Sequence, residues 1–172
     1  MAAKIKVDQI ETVDGSGTIA LQNQLSGMTH ESMPSGSVLQ VILGEDEVAL
    51  TMATATYTDS GLTATITPKA TSSKILAMWN MQAHIFDSSQ GFGTKLVRGS
   101  TAVWTSNALY GVHTGGSGGG DWRLFGNYSY IDSPNTTSAT TYKIQVASYG
   151  GNSMEFNDDT TQTQLILMEI KG

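Results

Sequence analysis

The chain has 172 residues, of which 39% are hydrophobic and 14% charged, and its formal net charge is −6. A pI near 4.8 and nine scattered Lys and Arg residues argue against a nucleic-acid groove, because neutralising phosphates needs clustered cations. The lack of cysteine excludes disulfides, thiol catalysis and thiolate metal sites, and no run approaches the ~18 apolar residues that span a bilayer.

Thr, Ser, Gly and Asn fill the composition instead, which favours strands joined by turns over helices. The length suits one domain plus a short extension. Residues 1–36 differ from the rest. Ile5 and Val7 alternate with polar residues up to Ile10, Asp14-Gly15-Ser16-Gly17 reads as a turn, and Ile19 to Leu21 is a second short β-prone piece. The stretch from Ser26 to Gly36 has no periodicity and reads as a linker. Two short strands cannot bury a core alone, so this segment is expected to be an arm that orders on a neighbour. No secretory signal is expected at Met1-Ala2-Ala3-Lys4, and Asn127-Tyr128-Ser129 and Asn135-Thr136-Thr137 are taken as chance glycosylation patterns.

From Ser37 the signal is all-β. Ser37 to Leu43 is a strand ended by Gly44-Glu45-Asp46-Glu47. A β-prone stretch at 54–58 ends at Asp59-Ser60-Gly61, and Leu62 to Thr67 alternates cleanly with Leu62, Ala64 and Ile66 inward. Lys74 to Phe86 is the longest run, with Ile75, Ala77, Trp79, Met81, Ala83 and Ile85 on a core face. Its other face is half-polar, as on a sheet surface that meets a partner. Thr94–Arg98 and Thr101–Trp104 form a hairpin about Gly99-Ser100, and a glycine-rich loop covers 111–120. Trp122–Ile131 and Thr140–Ala147 are further strands, the second with Tyr142, Ile144 and Val146 inward. The last strand, Gln164 to Ile170, is apolar on both faces: Leu165 and Leu167 point one way, Ile166, Met168 and Ile170 the other. One face can enter the chain's own core. The second either lies inside a single sandwich or is covered by other copies around an oligomer axis. Eight to ten strands are expected, packed as an antiparallel β-sandwich or jelly roll.

Catalytic chemistry finds no foothold. His30, His84 and His113 lie in no catalytic motif, His84 reads as a polar residue on a sheet surface, and no nucleophile elbow is present. The loop 115–120 lacks the Lys-Ser/Thr pair and helix of a phosphate loop. Glu45-Asp46-Glu47 and Asp158-Asp159 read as solvated turn charges rather than calcium ligands, and the methionines as gap fillers. No catalytic residue, cofactor or metal is expected. Tyr110, His113 and Trp122 flank the glycine loop and are candidates for gripping a sugar or protein surface; alternatively Trp122 simply packs at a strand start.

Seven pieces in order resemble a domain family of tail-fibre and other virion proteins of tailed bacteriophages, marine and cyanobacterial ones above all. They are Ile5–Ile10, Gly36–Val41, Tyr57–Leu62 with Ile66-Thr67-Pro68, Thr71–Leu76, Leu96–Thr101, Ile131–Pro134 with Thr140–Lys143, and Ile166–Ile170. The resemblance covers about three-quarters of the chain. It implies a trimeric jelly-roll head (37–172) similar to complement and tumour-necrosis-factor heads. It also implies an arm (1–36) that anchors to the virion through Ile5, Val7, Ile10, Ile19 and Leu21. The implied location is the virion, and the partners are further copies of the chain, other tail or capsid proteins, and a host surface glycan or protein. In the trimer, Leu165, Ile166, Leu167, Met168 and Ile170 would line the interface. The chain departs from the longer fibres in having no extended shaft between arm and head, which argues against a long tail fibre and leaves open a short fibre, a fibre tip or a capsid-surface protrusion. A purely structural decoration or tail-assembly protein is the alternative, and a polysaccharide-degrading spike is disfavoured for want of a carboxylate pair.

Overall fold

The computed structural model describes residues 29–87, 89–106, 111–116, 120–158 and 161–172. The chain divides into two units, Met1–Ser32 and Met33–Gly172. Of the first unit only the 3₁₀ turn His30–Ser32 and Thr29 before it are described. In the second, Gly36 N–H donates to Lys171 O at 2.8 Å and Lys171 N–H to Ser37 O at 2.9 Å. The last residues of the expected linker therefore belong to the head.

The second unit is an antiparallel β-sandwich with eleven strands among its described residues: β1 (Val38–Asp46), β2 (Leu50–Met52), β3 (Thr58–Ile66), β4 (Lys74–Ile85), β5 (Gly91–Arg98), β6 (Thr101–Thr105), β7 (Val112–His113), β8 (Trp122–Asp132), β9 (Thr140–Ser148), β10 (Met154–Phe156) and β11 (Thr163–Ile170). One sheet runs β1-β11-β4-β8, with β10 and β2 continuing beside the second half of β4. The other runs β3-β9-β5-β6, with β7 on β5. The antiparallel pairs β1–β11, β3–β9, β4–β8 and β5–β6 alternate between sheets, the pattern of one long hairpin rolled up on itself. That is the jelly roll.

Alternation places the core. Every inward residue of β4 from Ile75 to Ile85 is buried, as are Leu62 and Ile66 of β3, Tyr142, Ile144 and Val146 of β9, and Leu165 and Leu167 of β11. Trp79 lies at the centre of an aromatic cluster. Its ring is stacked on Tyr128 at 5.5 Å and edge-on to Trp104 at 5.2 Å, and its indole N–H donates to Thr94 Oγ1 at 3.3 Å. Burial pushes the Tyr128 phenol up to about 12, with the neighbouring Tyr57 adding to the effect.

Two expected turns are strand instead. Gly44-Glu45-Asp46 continues β1, because Gly44 is where β1 crosses close over β3: a Cβ there would stand 2.2 Å from the Thr63 carbonyl oxygen. Asp59-Ser60-Gly61 is a bulge inside β3, with Gly61 at φ 98° and Ser60 Oγ donating to Ile144 O at 2.9 Å. Gly91-Phe92-Gly93 opens β5 and lies tight against β7. The three-residue strands β2 and β10 were not expected at all. Gly44→Ala is expected to force the two sheets apart locally. It should cost about 2 kcal/mol and lower the melting temperature by roughly 4–8 °C, measured by calorimetry.

Asp158, read from the sequence as a solvated turn charge, is buried, and so is Glu169. Asp158 packs beside His84, and Glu169 ends β11 with no exposed surface. Asp132, also buried, accepts from Tyr142 Oη at 2.6 Å and Arg98 Nη1 at 2.7 Å. Burial first, and then the hydrogen bond to this carboxylate, drive the Tyr142 phenol far above its ordinary range.

Candidate functional site

The outward face of the β1-β11-β4-β8 sheet carries the candidate site. Cross-strand register lines its side chains into rows. Val41, Met168, Leu76 and Ile131 form one row; Leu43, Ile166, Met78 and Ser129 form the next. Ile170 and Val38 extend the patch at one end. Val38, Val41, Leu43 and Ile131 are 49%, 54%, 51% and 57% exposed, so this face is largely uncovered within the chain. Single exposed apolar residues are ordinary, but four adjacent strands contributing contiguous ones mark an interaction surface.

A polar band of Gln164, Asn80 and Asn127 bounds the patch. Asn80 Oδ1 accepts the Gln164 N–H at 2.8 Å. Along this border lies a shallow depression of about 440 Å³ lined by Met78, Asn80, Asn127, Ser129, Gln164 and Ile166. Phe125, 60% exposed, stands on β8 beyond the band.

The expected interface set separates by face. Ile166, Met168 and Ile170 lie on the outward patch. Leu165 and Leu167 do not: both are fully buried in the chain's own core, which leaves them no surface for a partner. In their place the fold supplies Val38, Val41, Leu43, Leu76, Met78 and Ile131. The signal for β1 was present in Val38-Leu39-Gln40-Val41-Ile42-Leu43, which, like β11, has apolar residues at both parities.

Two of the candidate receptor residues, His113 and Trp122, sit at the other end of the sandwich from Val38 and Ile170. β7 lies against β8 there, and Trp122 pairs with Ile85 at the end of β4. Trp122 is 49% exposed. The His113 ring is edge-on to Tyr149 at 4.9 Å, an internal contact that holds it to the head. Tyr110 and the arm residues Ile5, Val7, Ile10, Ile19 and Leu21 lie outside the described residues.

At the opposite end, Glu169 ties the patch to the loop before β4. Burial pushes its carboxyl up. Hydrogen bonds from Gln40 and the Lys69 amide, with the Ser73 hydroxyl and the Ala70 amide close by, outweigh this and hold the carboxyl below its ordinary value. Gln40 Nε2 and Lys69 N each donate at 2.6 Å. Sequence reading overlooked this residue, although a lone Glu at the inward parity of an apolar strand is an unusual placement.

No family model matches the sequence, and no curated protein does. Among solved structures, the chain is similar to one of infectious bursal disease virus, Gx strain (14% identity, 77% of this chain, 32% of that chain, TM-score 0.46). It is also similar to the D431N mutant VP2 protein of the same virus (12% identity, 91% of this chain, 41% of that chain, TM-score 0.46). A third match is dimeric latent PorU from Porphyromonas gingivalis (12% identity, 84% of this chain, 14% of that chain, TM-score 0.36). The chain spans less than half the length of any of these, and overlaps this partial carry no functional assignment. No helix among the described residues is long and apolar enough to cross a membrane.

Proposed function

We propose that this chain is a virion structural protein of a tailed bacteriophage: a short homotrimeric fibre or surface protrusion without enzymatic activity. Residues 1–36 attach it to the particle, and the jelly-roll head projects outward. The observation that carries this reading is the four-stranded apolar face. Burying roughly 400 Å² of it per chain, at ~25 cal/mol per Å², contributes on the order of 10 kcal/mol per chain before the entropy of association is subtracted. A second copy of the same face is the most economical cover, because a closed ring leaves no apolar surface behind. The ordered set of sequence pieces that resembles phage fibre heads supports the trimer and the particle context.

Host attachment is the finer part of the proposal. The half-exposed Trp122 at the distal end offers one aromatic face per chain, and three weak contacts on one rigid head gain strength through effective concentration. The engagement of His113 with Tyr149 favours a second reading, in which the head is only a capsid decoration or tail-assembly part. Deleting residues 1–36 distinguishes the two. If particle incorporation is lost while the purified head binds neither host cells nor glycans, the structural reading holds. If Trp122→Ala lowers host-cell binding at least tenfold, the attachment reading holds.

A further inference from the structure

On the outer sheet face, beyond the Asn80–Asn127 band, two further segments converge on His84 of β4. β10 presents Glu155 directly across from it and β8 presents Arg123 on its other side. Asp158 follows β10 through Asn157, which is in the left-handed region at φ 56°. Asp158 is fixed there by its own N–H, which donates to Gln82 Oε1 at 3.0 Å. Among the described residues, His84, Glu155 and Asp158 form a cluster whose donor atoms all lie within 4.8 Å of one another.

We propose that His84 Nδ1 and the carboxylates of Asp158 and Glu155 bind one divalent transition-metal ion per chain, with Zn²⁺ best suited to the donor set. His84 and Asp158 are each 9% exposed. Nδ1 and Asp158 Oδ2 stand 2.7 Å apart, both shielded from solvent, yet neither makes an aligned hydrogen bond. With Nδ1 unprotonated, two buried lone-pair atoms face each other, offset only by the Arg123 guanidinium 2.9 Å from Asp158 Oδ2, and a shared cation removes the remaining desolvation cost. Metal–nitrogen and metal–oxygen bonds of ~2.0–2.2 Å let donors at this spacing share one ion, with Glu155 closing in by rotation.

The opposite ring nitrogen completes the pattern. His84 Nε2 meets Asp121 Oδ1, and in the tautomer that donates its Nε2–H to this carboxylate Nδ1 carries a lone pair free to ligate. The Phe86 ring, 4.2 Å from the imidazole, restrains it further. Charge points the same way. Three carboxylates surround the histidine, and Arg123 sits among them, its Nη2 2.9 Å from Asp158 Oδ2 and its Nη1 3.7 Å from Asp121 Oδ1. The guanidinium is a partial stand-in for the ion and its competitor. One imidazole with two carboxylates favours Zn²⁺ over Ca²⁺ or Mg²⁺, which prefer all-oxygen sites, and leaves a position for water.

The test is calorimetric titration of the untagged full chain with ZnCl₂, with MgCl₂ and CaCl₂ titrated separately. One Zn²⁺ per chain should bind with micromolar affinity or better, at least tenfold more tightly than Mg²⁺ or Ca²⁺. Asp158→Asn, and the partly exposed Glu155→Gln as a variant that keeps the fold, should each weaken Zn²⁺ binding at least tenfold. Asp121→Asn should weaken it less, Arg123→Ala should strengthen it several-fold, and His30→Ala should leave it unchanged. A Co²⁺-loaded sample should show visible bands that disappear in Glu155→Gln. Absence of stoichiometric Zn²⁺ binding, or binding indifferent to both Glu155→Gln and Asp158→Asn, overturns the site.

Discussion

Replacing Ile166 and Met168 together by Glu is expected to dissociate the proposed trimer while leaving the sandwich folded. Both side chains lie on the outward sheet face, flanked by Leu43 and Val41 on β1 and by Met78 and Leu76 on β4. In the separated chain two carboxylates there remain solvated and cost little. In the trimer each would be desolvated against apolar neighbours with no cation to pair it, a penalty of roughly several kcal/mol per charge. Light scattering should therefore find three chains of 18.2 kDa each for the native protein and a single chain for the variant, with unchanged far-ultraviolet circular dichroism. Leu165→Ala or Leu167→Ala tests the other face of the same strand. Each should cost about 2–5 kcal/mol of folding stability, because it opens a cavity inside the chain's own core, without altering the association state at low temperature. A native protein that is monomeric at high concentration would sink the trimer and send the apolar face in search of a different partner.

The second large effect is expected at Glu169. Its side chain has no exposed surface, and it accepts from Gln40 on β1 and from the Lys69 amide in the loop before β4. Hydrogen bonds to a charged acceptor contribute about 1.5–3 kcal/mol each, so Glu169→Gln, which keeps the shape but loses the charge and one acceptor, should cost about 2–3 kcal/mol at neutral pH. The pH dependence follows from the direction of the shift. The folded carboxyl titrates below its unfolded value of 4.5, so the native state holds the proton less tightly than the unfolded chain. The stabilisation is present in full above the unfolded value and is lost as pH falls below it through the folded value. Urea unfolding of the native protein and of Glu169→Gln at successive pH values should show a gap that is constant above about pH 5.5 and closes in stronger acid. A gap of the same size at pH 3 and pH 7 would falsify the assignment of the stabilisation to the charged carboxylate.

Strict alternation made much of this fold readable. In Lys74–Ile85 every second residue from Ile75 is apolar, as are Tyr142, Ile144 and Val146 in Thr140–Ser148, and one register alone buries them all. Where the pattern failed, a local signal competed with a long-range contact. Asp59-Ser60-Gly61 has the composition of a turn, but its hydrogen bond to Ile144 comes from a strand remote in sequence. Gly44 reads as a breaker, whereas its small size serves the close passage over Thr63. β2 and β10 are too short for any periodicity to register. The outward apolar face was half legible, since β11 announces it and β1 repeats the pattern, but the register that joins Ile131 to Leu76 is tertiary information. The histidine–carboxylate cluster was not legible, because its members come from three separate segments and Asp158 resembles any acid in a turn.

The rolled-hairpin path makes the head a directional object. Its first and last strands are neighbours, with Val38 paired to Ile170, so the chain enters and leaves the sandwich at a shared pole. β4 begins at that pole beside Ile170 and reaches Trp122 at its far end, roughly 35 Å away at the usual rise per strand residue. A cargo spliced onto the carboxyl end would thus hang beside residues 33–37 and leave the distal rim unobstructed. The same geometry lets loops at that rim lengthen or change in composition without disturbing the pole where β1 and β11 pair, giving evolution or an engineer one end to hold and one to vary.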